Sequence, residues 1–171
     1  MRPMTEAGLR SFWGIGAEKM GFVVVSPAAP KGRPFYKSGT TLIPGFLAAI
    51  AKNYKVRGGR FHVAGSSNGG VSAFAVAVRN PALFQSLTAL AGFPEAPEGF
   101  RRLDRLGGMK ITMIVGDGDL YWKEGMQKTV ARLKKLGQDR YFEIIQRNGH
   151  FLPDLSGPKI GRIFDLIERP R

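Results

Sequence analysis

The feature that most constrains this chain is a repeated change of hydrophobic period. Short β-branched or apolar runs, each closed by glycine, proline or asparagine, alternate with longer stretches of helical pattern. The runs are 22–26 (FVVVS), 60–64 (RFHVA), 87–91, 110–115 (KITMIV) and 141–146 (YFEIIQ), and each reads as a strand. The intervening stretches 6–20, 42–52, 71–79, 123–136 and 160–167 read as helices, the fourth ending at Gly137. Residues 28–40 carry several glycine and proline breakers and read as a loop. Alternation of this kind implies parallel strands joined by helical crossovers, with helices on both faces. A three-layer α/β/α sandwich around a mostly parallel sheet is expected, as a single domain over residues 1–171. In such sheets ligands bind at the carboxyl ends of the strands.

Composition removes several classes of function. There is no cysteine, which excludes disulfides, thiolate metal sites and a cysteine nucleophile. The two histidines, His62 and His150, form no H-E-x-x-H pattern, so no metal site and no cofactor are expected. The formal net charge of +13 would draw the chain towards polyanions. Its lysines and arginines are scattered, however, with no aromatic-interleaved basic strand, so a solvated basic surface is expected and not a nucleic-acid partner. No run of 18 apolar residues suggests a membrane span, and residues 1–10 hold no apolar signal core, so a cytoplasmic location is expected.

The chemistry concentrates in three turns. Gly65-Ser66-Ser67-Asn68-Gly69 matches G-x-S-x-G between an expected strand and an expected helix, the context of a nucleophile elbow. In that turn Ser67 would be the nucleophile, and the N–H of Asn68 at the start of the helix would be one oxyanion donor. No Gly-Lys-Ser/Thr follows, so a phosphate loop is excluded, and Gly14-Ile15-Gly16 meets Lys19 where a dinucleotide fingerprint needs glycine. A serine hydroxyl needs a base. His62 lies within a strand and reads as structural, whereas His150 follows a strand in the turn Asn148-Gly149-His150. Asp117 and Asp119 both follow the 110–115 run. Asp119, at the far side of its turn, is the expected acid, with Asp117 as the residue that caps the turn. The order Ser, Asp, His is that of α/β-hydrolases.

These motifs resemble the α/β-hydrolase superfamily of serine esterases. The segment RFHVAGSSNGGVSAFAVAVRNPALFQSLTALAGFP is similar to polyhydroxybutyrate depolymerase-like, feruloyl-esterase-like and dienelactone-hydrolase-like members. Their Pro-x-x-Phe element corresponds to Pro81-Ala82-Leu83-Phe84, IVGDGD to their acid turn and RNGH to their base turn. The resemblance implies a reduced α/β-hydrolase fold and hydrolysis of carboxylic esters through an acyl-enzyme intermediate, on a small-molecule or polymer-linked ester. The chain departs from the pattern at its start, where relatives carry further strands and a His-Gly loop that supplies a second oxyanion donor. The relatives' strand between the counterparts of runs 22–26 and 60–64 has no equivalent, which leaves an expected sheet edge favouring a homodimer. The stretch 92–109 is short, so an open cleft with no lid domain is expected. Phe93, Trp122 and Phe151 follow strand ends and are candidates to line it. The alternative is a weak or inactive α/β-hydrolase remnant that acts by binding.

Overall fold

The computed structural model describes residues 5–29, 33–95 and 97–169, so part of the expected loop at 28–40 and one residue of the stretch 92–109 lie outside it. Four strands, β1 (Phe61–Ser66), β2 (Phe84–Leu90), β3 (Lys110–Gly116) and β4 (Arg140–Ile145), form one sheet in the order β1-β2-β3-β4. All three pairings are parallel, with Val63 opposite Leu87, Leu87 opposite Ile111 and Ile111 opposite Arg140. Parallel neighbours cannot be joined by a tight turn, so each connection crosses the sheet through helical structure. The helical segments are α1 (Glu6–Leu9), α2 (Ile15–Met20), α3 (Phe35–Ser38), α4 (Ile43–Asn53), α5 (Asn68–Arg79), α6 (Glu98–Arg101), α7 (Leu120–Lys135) and α8 (Gly161–Glu168).

The side-chain alternation of the strands feeds two cores. On β3, Ile111, Met113 and Val115 join a cluster with Phe74 and Ala77 of α5 and Met126 and Leu133 of α7. Ile114 points the other way, into a cluster with Trp13, Ala17, Ile163, Phe164 and Ile167 of the α1–α2 and α8 layer. Both faces of β3 are therefore covered, which explains why its Met113-Ile114-Val115 stretch is apolar on both faces instead of alternating. Burying each large aliphatic side chain contributes about 1.5–3 kcal/mol. The sandwich has the three layers expected.

Two expectations need correction. Residues 22–26 do not form a strand: they have no regular secondary structure and pair with nothing in the sheet. Phe22 and Val24 turn inward towards Phe164, while Val23 and Val25 face outward. Between this segment and β1 runs an apolar groove of about 540 Å³, lined by Val24, Phe35, Leu47, Phe61 and Val63 among others. β-branched composition favours extended backbone, but a strand exists only where a neighbour completes its hydrogen bonds. The helix expected at 6–20 is interrupted by a π-helical turn, Arg10–Gly14, between α1 and α2.

Candidate active site

The carboxyl ends of β1, β3 and β4 lie on one rim. The backbone goes straight from β1 into α5 through Ser67, which takes φ 55° and ψ −124°. A non-glycine residue in this region carries strain of about 1–3 kcal/mol, held by its surroundings. Here the Ser67 N–H donates to Leu90 O at 2.8 Å, and Ser67 O accepts from the N–H of Gly70 at 2.8 Å. A Cβ on Gly65 would come within 2.1 Å of Gly69 O, so only glycine lets the strand pass this close to the helix start. Among the described residues, the other non-glycine positions with positive φ are Ala91 and Arg147, just beyond β2 and β4. The strained backbone therefore gathers at this rim.

His150 sits between Ser67 and Asp119. Its Nδ1 lies 2.8 Å from Asp119 Oδ2 and its Nε2 lies 2.9 Å from Ser67 Oγ. A carboxylate only accepts, so Nδ1–H donates to Asp119 and Nε2 is left to accept from the Ser67 hydroxyl. The Asp119 side chain is 10% exposed and that of His150 35%. Asp119 occupies the N-cap position of α7, yet its carboxylate makes no capping hydrogen bond to the helix. Aspartate at that position usually satisfies helix N–H groups. Here it serves the imidazole instead.

Asp117 does what the sequence suggested as its alternative role. Its Oδ1 accepts the Asn148 N–H at 3.2 Å, and Gly118 N–H donates to Asn148 O at 3.0 Å. Backbone N–H groups of Arg147, then Asn148 and Gly118, hold the Asp117 carboxyl below its ordinary range, with Lys123 adding to the effect. The turn after β3 is thereby tied to the turn that carries His150.

His62 lies far from this line. Gln85 Nε2 donates both to Arg60 O at 2.9 Å and to His62 Nε2 at 3.0 Å. That leaves Nδ1–H to donate to Ser86 Oγ at 2.6 Å. The ring is satisfied and cannot deprotonate Ser86 through Nδ1. Its structural reading follows from this geometry.

The three aromatic candidates have different surroundings. Phe151 is 86% exposed beside the His150 ring. Trp122 stacks on His150, and Phe93 packs against Trp122. Leu120 and Tyr121, each 69% exposed at the start of α7, extend the apolar rim. Sequence reasoning missed Leu120 because it set the start of α7 three residues too late. Asn68 opens α5 directly behind Ser67, with its carbonyl accepting from Ser72 Oγ at 2.7 Å. Among the described residues no cluster of histidine and carboxylate side chains could hold a metal ion, and no helix is long and apolar enough to cross a membrane.

The model of the Esterase family ("Putative esterase") matches residues 15–144, most of the chain and including the serine turn and Asp119. The chain belongs to this esterase family. No curated protein matches the chain. Among solved structures, an uncharacterized protein from Bacillus cereus ATCC 10987 superposes with a TM-score of 0.80 at 18% identity, over 97% of this chain and 56% of that one. A carboxylesterase from Mesorhizobium loti gives 0.62 at 20% identity, over 79% of this chain and 62% of that one. The enterobactin esterase of Shigella flexneri gives 0.56 at 20% identity, over 81% and 38%. At such identities the likeness concerns the fold, which is that of the α/β-hydrolases. The chain spans 56% of the length of the Bacillus cereus relative.

Proposed function

We propose that the chain hydrolyses carboxylic esters by a serine mechanism. The observation that carries this reading is the unbroken hydrogen-bonded line Ser67 Oγ, His150 Nε2, His150 Nδ1, Asp119 Oδ2 at a strained elbow in an esterase-family chain. In the proposed cycle His150 takes the Ser67 proton as Oγ attacks the ester carbonyl. Asp119 holds the imidazole in the tautomer that accepts at Nε2 and stabilises the imidazolium. The N–H of Asn68, in the first turn of α5, is assigned the role of one donor to the developing oxyanion. The alcohol leaves with the proton from His150. A water molecule, deprotonated by the same ring, then releases the acid and regenerates the Ser67 hydroxyl. No step draws on a metal or an organic cofactor.

The exposed Phe151, with Leu120 and Tyr121, offers apolar contact to the part of the substrate lying beyond the reacting ester. This suits a small-molecule ester or one carried on a polymer. The test is hydrolysis of p-nitrophenyl acetate and butyrate by the wild type and by Ser67→Ala. Loss of at least about 10³-fold in kcat is expected for the variant, because nucleophile and base act as a unit. Equal rates in the two proteins would defeat the proposal and leave the binding reading in its place.

A further inference from the structure

We infer that Trp122, backed by Phe93 and Gly125, is a positioning residue that sets the plane of the His150 ring. The inference rests on the reading of His150 as the base. Two hydrogen bonds at opposite ring nitrogens fix a line through the imidazole but leave the ring free to tilt about it. A contact on the ring face removes that freedom. Trp122 provides it, with centroids 5.5 Å apart and planes at 28°, the one stacked pair among the ring contacts of the described residues.

The indole is itself wedged. Phe93, just beyond the end of β2, meets Trp122 at 5.2 Å and 58°. Behind Phe93 lies Gly125, one helical turn after Trp122 on α7. A Cβ there would come within 2.4 Å of the Phe93 ring. The lack of a side chain at Gly125 is thus what lets Phe93 seat against the helix and press on the indole. The order of contact is Gly125, Phe93, Trp122, His150, and it runs from the α7 backbone to the proposed base. An aromatic face also attracts the imidazolium formed during attack, an effect on the order of 2- to 30-fold in rate.

Four variants test this on p-nitrophenyl butyrate, each with a thermal melt and an NMR spectrum of the histidine ring nitrogens. Trp122→Leu keeps apolar bulk but removes the flat face. It is expected to lower kcat about 10-fold, to leave KM within about twofold, and to broaden or average the His150 ring signals. Trp122→Phe is expected to recover most of the kcat and the sharp signals. Gly125→Ala introduces a better helix former. It is expected to lower kcat by pushing the Phe93 ring off the indole, and adding Phe93→Leu, which makes room for the new methyl and keeps an apolar side chain against Trp122, is expected to recover part of the activity. A rise in KM with kcat unchanged in Trp122→Leu would overturn the inference by making Trp122 a substrate contact. Ring signals in Trp122→Leu identical to the wild type would also overturn it, as would losses of kcat that follow Tm across the series. The NMR arm is read without turnover, so it decides the positioning role even if Ser67→Ala matches the wild type and the esterase reading falls.

Discussion

Burial pulls the His62 imidazole down from its ordinary 6.5 to about 4, with Glu168 opposing the shift and Lys110 and Arg57 adding to it. The folded chain therefore keeps this ring neutral at pH values where the unfolded chain protonates it. Between about 6.5 and 4 the unfolded state binds more protons, so stability present above pH 6.5 is lost as the pH falls through that window. Thermal melts at pH 7, 5.5 and 4 are expected to show Tm falling, and in His62→Asn the part of the fall above pH 4 should shrink. A fall unchanged in the variant would assign the acid sensitivity to other groups. The separation of the two histidines was legible in the sequence, since one lies inside a strand and the other beside Gly149. What holds each ring was not. Ser86 and Gln85 reach His62 only through the β1–β2 register, and Trp122 reaches His150 only once α7 is docked.

Between elements, the tie from the β3 turn to the β4 turn matters most. The Asp117 carboxylate is held below its ordinary 3.8 by the turn it clamps, so the clamp is present above that value and weakens as the pH falls through the lowered one. Asp117→Ala is expected to lower both Tm and kcat, because the backbone of 147–149 positions His150. A Tm drop with kcat unchanged would show that the turn holds its shape without the clamp. The order of elements and four of the five expected strands were legible because β-branched runs and glycine stops are local signals. Run 22–26 gives the same local signal and forms no strand, because ladder hydrogen bonds depend on what lies alongside. The start of α7 was misplaced for a related reason. Asp119 stands at the cap position but gives its carboxylate to His150, so the usual marker of a helix start is diverted to the site.

At the scale of the whole molecule, the sheet ends at β1, whose outer edge faces the groove and has no strand partner among the described residues. Exposed edges template pairing with another chain, and a lysine on the edge opposes it. We propose self-association through this edge. Sedimentation velocity over a range of concentrations should show a dimer that Ala64→Lys weakens, and a single unchanging species in the wild type would rule it out. The placement of the three turns has a different consequence. Hydroxyl and imidazole are 83 residues apart in sequence, imidazole and carboxylate 31, and each comes from the end of a different strand. On the proposed mechanism, a nascent chain could split no ester until His150 had been added. Turnover would then be silent in every fragment that stops short of His150, and would return during refolding only when β4 has docked.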